Sequence, residues 1–477
     1  MGKKLLAFVL CAALACAALG IAACAPETAR SSYQMALEYT PETRTLAGEM
    51  TADIVGTGED ARSSLTFQLW ANAFREGAKY APVTDLFAPA AYYNGESYGG
   101  ITVHSVEGAR SFCVTGEDEN LLEVTLDEPL LPGERVQLTM SFTVLLAEVN
   151  HRLGAGERVV TLSGFYPALC AGEGRVYSAL GDPFMAECAD FEATLTLPEG
   201  YVAACTGEGE RTLSDGKAVY HVRAEGVREI AFLCSEHFQT VQTEAAGVPV
   251  TYYYLDDPSP ERTLLAAARA LAYYSENFGQ YAYGQYSVAE ADFPYGGMEY
   301  PMLSLLAADL TEAEIPLVAA HETAHQWWYA AVGSDQFAEP WQDEALAEYS
   351  AALFLEAYPE YGGNYATCVA SAEGEYRSFF SVWSQIADAS QTSMRRPLTA
   401  FQSEYEYRSV VYDKGLILFD RLDGLLGREK MLAALREYYR EYAGKIAPPE
   451  ALIACFTRRG RSAEGVFSSF LEGTCVI

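Results

Sequence analysis

The sequence predicts an α+β protein in which a β-rich amino-terminal half is followed by a mainly α-helical half. Between about residue 33 and residue 255, short alternating or β-branched runs such as "SLTFQLWANAF", "LLEVTLDEPLLPGERVQLTMSFTVLL" and "VREIAFLCSEHF" are separated by Pro-Gly and Pro-Glu-Gly turns. From "SPERTLLAAARALAYYSENFG" onward the apolar period becomes helical. At 477 residues, half of them hydrophobic, the chain has material for two cores. The boundary falls near "TEAAGVPVTYYYL", around residue 243, which divides the chain into 25–243 and 244–477 after a leader at 1–24.

The leader, "MGKKLLAFVLCAALACAALGIAAC", runs from basic to apolar to small residues, as an export signal does. Its end, Ile21-Ala22-Ala23-Cys24, resembles the bacterial lipobox, which makes Cys24 the expected lipidated first residue and places the protein outside the cytoplasm on a bacterial cell membrane. The run is also about long enough for an uncleaved span. Two acyl chains on Cys24 would make a stable tether.

Losing Lys3 and Lys4 with the leader takes the net charge from -33 to -35, so nucleic acid and anionic lipid are poor partners. Of eleven cysteines, Cys11, Cys16 and Cys24 belong to the leader. The rest show no Cys-x-x-Cys spacing, which argues against a cysteine zinc site, and they read as small buried residues with one or two bridges allowed.

In the β-rich half the runs are strands and the glycine and proline clusters their turns. The first long helix starts at Ser259-Pro260 and stops at Gly279. A second, "IPLVAAHETAHQWWYAAVG", opens on a proline, is apolar nearly all round and closes at Gly333, which makes it a buried helix. His321 and His325, one turn apart, share a face of it and can share one ion. A catalytic zinc keeps three protein ligands. The third is Glu344 in "WQDEALAEYSAALFLEAY", a helix that follows after a loop and can return antiparallel. Glu322 sits beside the bound water as general base. A plain core helix could also hold two histidines, but the acidic neighbour and the third ligand argue for the metal. Trp327 and Trp328 read as core packing. Glu348 and Asp343 read equally as orienters of an imidazole or as ordinary helix charge.

With these residues in place, the sequence resembles the gluzincin aminopeptidases, the family of aminopeptidase N and leukotriene hydrolase. Their pattern is His-Glu-x-x-His, eighteen residues, then Glu; here His321, Glu322 and His325 are followed by 326 to 343 and Glu344. "YGGMEYP" at 295–301 resembles the family's Gly-x-Met-Glu-Asn stretch, with Tyr300 in place of the asparagine. The resemblance implies that Glu299 binds the substrate α-amine, with Gly296 and Gly297 in the same substrate-binding stretch. "YRSVVYDKGLILFDRL" resembles the segment whose tyrosine stabilises the tetrahedral intermediate, which is Tyr412 here; Tyr407 also has a counterpart.

What the resemblance implies is a thermolysin-like zinc catalytic domain with one Zn(2+) per chain, hydrolysing the amino-terminal bond of peptides. There are two departures. "LSGFYPAL" stands where the family's Gln-x-Glu motif is expected, and "FLEGTCVI" closes the chain about where the catalytic domain ends, so the cleft is expected to be more open. The competing readings are a zinc endopeptidase or non-peptide hydrolase using the same site, and a catalytically idle, surface-binding lipoprotein.

Overall fold

The computed structural model describes residues 30–473 apart from residue 388, so the leader with Cys24 lies outside the described residues. Residues 31 onward form one compact unit.

The first half is built of largely antiparallel sheets. In Ser32–Thr40 every second residue, Tyr33, Met35, Leu37 and Tyr39, is buried, the alternation expected of a strand with one face on a core. This strand lies at the centre of a seven-stranded sheet. Thr45–Val55 pairs with it antiparallel on one side and Ala189–Pro198 parallel on the other. Two four-stranded sheets complete this half.

Gln239–Ala245, within which the expected boundary near residue 243 falls, is the edge strand of a five-stranded sheet. The order continues through Val248–Tyr254, Tyr286–Ala291 and Leu303–Ala307 to Gly297–Met298. The two faces of this sheet look in opposite directions. Tyr286, Val288 and Leu306 join the helical core, whereas Ala289, Ala291, Leu303 and Leu305 join the β-rich core. One sheet therefore serves both halves, and its inner strands Tyr286–Ala291 and Leu303–Ala307 present apolar residues on both sides.

The helical half begins with Pro260–Asn277, which stops before Gly279 as the sequence predicts. The histidine helix is shorter than expected. It spans Ile315–Ala324 and passes into a wide turn at Gln326–Ala331, with non-helical backbone at Trp328 and Tyr329 instead of regular helix to Gly333. Four hydrogen bonds from the Arg228 guanidinium explain the break. They go to the carbonyls of Tyr329, Ala331, Lys445 and Ala186, and so hold the turn against the β-rich half. Trp327 and Trp328 are buried in the core, as expected.

Cys113, Cys170, Cys205, Cys234, Cys368 and Cys455 are free thiols, so the bridges allowed by the sequence do not involve them. Among the described residues no helix is long and apolar enough to cross a membrane.

Candidate metal centre

The histidine helix is fixed to the sheet below it by buried polar groups. The Tyr286 hydroxyl lies 2.8 Å from Ser304 Oγ and 2.9 Å from Thr323 Oγ1, next to Glu322. The Gln326 amide donates to Tyr300 O at 3.0 Å and accepts from Met302 N at 2.8 Å, as a neighbouring strand would. This sets the "GGMEY" turn against the helix. The next helix, Trp341–Ala357, is reached through a loop pinned by Arg175, whose guanidinium donates to both Asp335 oxygens at 2.6 and 2.7 Å.

His321 Nε2, His325 Nε2 and Glu344 Oε2 converge. The two nitrogens are 3.1 Å apart, and they lie 3.2 and 3.4 Å from the carboxylate oxygen. Ligands about 2.0 Å from a tetrahedral zinc stand roughly 3.3 Å from one another, so this triangle has the size such an ion requires.

The proton positions agree. His325 Nδ1 lies 3.1 Å from Trp328 O, an atom that only accepts, and His321 Nδ1 lies 3.1 Å from Glu348 Oε1. Both protons therefore belong on Nδ1, and two bare Nε2 lone pairs face each other and a carboxylate. Only a cation satisfies all three. In the protein alone, burial opposes charge on His325, but Glu299 and Glu344 outweigh it and push the imidazole up to about 10. Burial likewise opposes charge on Glu344, yet its hydrogen bonds with His321 and His325 hold it well below the usual carboxylate range. Of the two residues left open by the sequence, Glu348 faces an imidazole. Asp343 instead accepts from the Glu344 amide at 3.1 Å.

Glu322 is buried beside the triangle, and its Oε2 has no hydrogen-bond partner. Burial pushes its carboxyl up to about 8; His321 and His325 oppose the shift, and Glu299 and Glu344 add to it. Gly297 leaves room for it, since a Cβ there would stand 2.5 Å from Glu322 Cδ. Gly296 occupies the same turn with φ +88°.

Glu299 follows on that strand. Its Oε1 accepts from Gln336 at 3.2 Å, and one of its oxygens, a ring nitrogen of His325 and an Asp343 oxygen all lie within 4.8 Å of one another. The Tyr412 hydroxyl donates to Glu344 Oε1 at 2.6 Å. Its Tyr-x-Lys-Gly context is structural. Lys414 Nζ donates to Thr392 O and Phe470 O, while Gly415, whose Cβ would meet Ala345 Cβ at 2.6 Å, lets the two helices close beside Glu344. Tyr407 packs edge-on against Tyr412.

The structure thus gathers His321, Glu322, His325, Glu344, Glu299, Gly297 and Tyr412 around one point, with Gly296 in the adjoining turn. Sequence reasoning missed the buried pair Arg152–Asp182, joined at 2.6 Å, and Glu229, whose carboxylate accepts a short hydrogen bond from Tyr329. Both come from the β-rich half, and in the sequence each looks like ordinary surface charge.

Comparison with known proteins gives the same picture. Residues 262–470 match the Peptidase family M1 domain. The chain is 27% identical over 180 residues to leucine aminopeptidase 2 of Neosartorya fischeri, covering 35% of this chain and 27% of that one. It is 28% identical over 197 residues to leukotriene A-4 hydrolase of Xenopus laevis, covering 38% and 30%. The matches thus span about a third or less of those relatives' length. An M1 zinc metallopeptidase from Deinococcus radiodurans superposes with a TM-score of 0.68 at 20% identity, over 94% of this chain and 95% of that one. A mutant of that enzyme bound to a Tyr-Ser-Ala substrate superposes with a TM-score of 0.67 at 19% identity, over the same shares. This chain therefore has the two-part fold seen there, a β-rich part followed by a helical part.

Proposed function

Because residues 262–470 match the Peptidase family M1 domain, we propose that the chain is a zinc-dependent aminopeptidase that removes the first residue of peptides. The observation that carries this reading is the 3.1 to 3.4 Å triangle of His321, His325 and Glu344, with the Glu299 carboxylate close by.

A zinc ion held there supplies a Lewis acid that polarises the scissile carbonyl and acidifies water. Glu299 holds the substrate ammonium, so the bond presented for cleavage is the first one. A buried carboxylate with no cation is costly, which makes this a filter for free amines. Glu322 takes the proton of the attacking water through its unpartnered oxygen and returns one to the leaving amine. Tyr412 Oη, now donating to Glu344, swings its hydrogen bond to the developing oxyanion.

The leader supports a further part of the reading, export and lipidation at Cys24, which would present the enzyme to peptides outside the cytoplasm.

The test is metal analysis of the purified soluble chain, with free-amine and N-acetylated aminoacyl substrates assayed before and after chelation. About one zinc per chain, cleavage of free-amine substrates alone and loss of activity on chelation are expected. Equal cleavage of the acetylated substrates would refute the aminopeptidase reading in favour of an endopeptidase. Full activity after the metal is removed would refute the zinc assignment.

A further inference from the structure

Tyr412 lies in a stretch of helix wider than its flanks. Glu404–Arg408 and Lys414–Leu426 are ordinary helices, and Ser409–Asp413 between them is a wide, π-type turn, which closes between residues five apart. Tyr407 and Tyr412 are five apart. In a regular α-helix such a pair points about 140° away from one another. The wide turn brings them together, and the two rings meet edge-on, with centroids 5.6 Å apart and planes at 79°.

The pair is held at both ends. Tyr412 stacks on the His321 imidazole at 5.9 Å, and its hydroxyl reaches Glu344. Tyr407 is buried, with Phe401 edge-on at 5.3 Å. Behind its hydroxyl runs the turn 178–183 of the β-rich half. A Cβ added to Gly181 would collide with that hydroxyl and stand 2.7 Å from Tyr407 Cζ. The turn is itself fixed. The Ser178 hydroxyl donates to Leu180 O at 2.6 Å and accepts from Leu180 N at 3.1 Å, and Asp182 Oδ1 meets Arg152 Nη2 at 2.6 Å. Gly181 supplies the left-handed backbone, φ +62°, that joins these two anchors. Leu180 packs on the helical core, so the turn has a footing in both halves.

The phenol of Tyr412 has to meet an oxyanion that exists only during the reaction, so its reach must be set beforehand. Among the described residues, His321 and Tyr407 carry the two rings that touch it. We propose that Tyr407, held by the Gly181 turn, is a positioning residue that aims the Tyr412 phenol. The β-rich half thus sets the oxyanion donor by steric contact, through the ring of Tyr407. This inference rests on the role given to Tyr412 above.

The test uses the full zinc-loaded chain and steady-state cleavage of an aminoacyl p-nitroanilide. Tyr407→Leu removes the ring and should lower kcat about tenfold to hundredfold, with KM within about twofold and zinc retained. Tyr407→Phe keeps the ring and should restore kcat to within about threefold of wild type. Gly181→Ala drives Tyr407 toward Tyr412 and should also lower kcat; adding Tyr407→Phe removes the atom that is struck and should recover about threefold or more. In a Tyr412→Phe background, neither Tyr407→Leu nor Gly181→Ala should lower kcat further. Should Tyr407→Leu fail to fold, the Gly181→Ala pair decides alone. Wild-type kcat in Tyr407→Leu, no recovery in the Gly181→Ala pair, or losses that add fully to that of Tyr412→Phe overturn the proposal while the aminopeptidase reading stands. If Tyr412→Phe alone keeps wild-type kcat, the role of Tyr412 is refuted, and this proposal with it.

Discussion

Gly297→Ala tests how tightly the general base is placed. The new Cβ would stand 2.5 Å from Glu322 Cδ and 2.7 Å from its Cγ. Ordinary carbon contacts are about 3.5 Å, so something has to move by about 1 Å. Gly297 is paired with Leu306 in the sheet, and its backbone is not left-handed, so the alanine itself is unstrained there. The contact reaches Cγ as well as the carboxylate end, so turning the carboxylate alone does not relieve it. Glu322 is therefore the group that shifts. A misplacement of about 1 Å in a reacting group costs on the order of a hundredfold in rate. Turnover of an aminoacyl p-nitroanilide should fall by about that factor, with zinc content unchanged, because neither histidine nor Glu344 is touched. The loss should also vanish in a Glu322→Gln background, since both changes remove the same function. A variant within threefold of wild type, or a loss that adds fully to that of Glu322→Gln, would show that Glu322 is not held as described.

Three further outcomes follow. Tyr412→Phe removes the hydroxyl now on Glu344 and should cost about a hundredfold or more in kcat with zinc retained, as read by steady-state kinetics beside metal analysis. Arg228→Met leaves the Tyr329 and Ala186 carbonyls without a donor, while Ala331 O and Lys445 O still accept from the Gly444 and Gly333 amides, and should destabilise the fold by about 2 to 6 kcal/mol in urea denaturation. Burial pushes Glu229 up to about 7 from 4.5, with Tyr329 opposing the shift and Glu299 adding to it. Its folded value lies above its unfolded one, so stability is lost as pH rises from about 4.5 through about 7, by roughly 3 kcal/mol at most. Denaturation across that window should show Glu229→Gln gaining on wild type as pH rises and then levelling off. Parallel curves would contradict the shift.

The metal ligands were legible because helix geometry turns a spacing of four into a shared face, and because the third ligand lies on the very next helix. The α+β division was legible from the change of apolar period near residue 255. The break after His325 was not, since "QWWYAA" is as apolar as a continuing helix, and the cause of the break, Arg228, is about a hundred residues away in sequence. Arg152 and Asp182 were hidden for the same reason. A charged residue reads as solvated until its partner is known, and theirs is thirty residues away. The only local hint is Gly181 before Asp182-Pro183, which reads as a turn. The edge strand Gln239–Ala245 was legible as a strand, but nothing in its residues says which half it joins.

The five-stranded sheet with both faces apolar also limits how far this molecule can be cut down. Expressed alone, residues from about 244 onward would lose the outer pairing partner of Val248–Tyr254 and bare Ala289, Ala291, Leu303 and Leu305 to water. Such a fragment would be sticky, and its Glu299 strand would lose the backing that keeps it in register. The proposed peptidase activity is thus not a portable module, and fusions or library designs should carry both halves together.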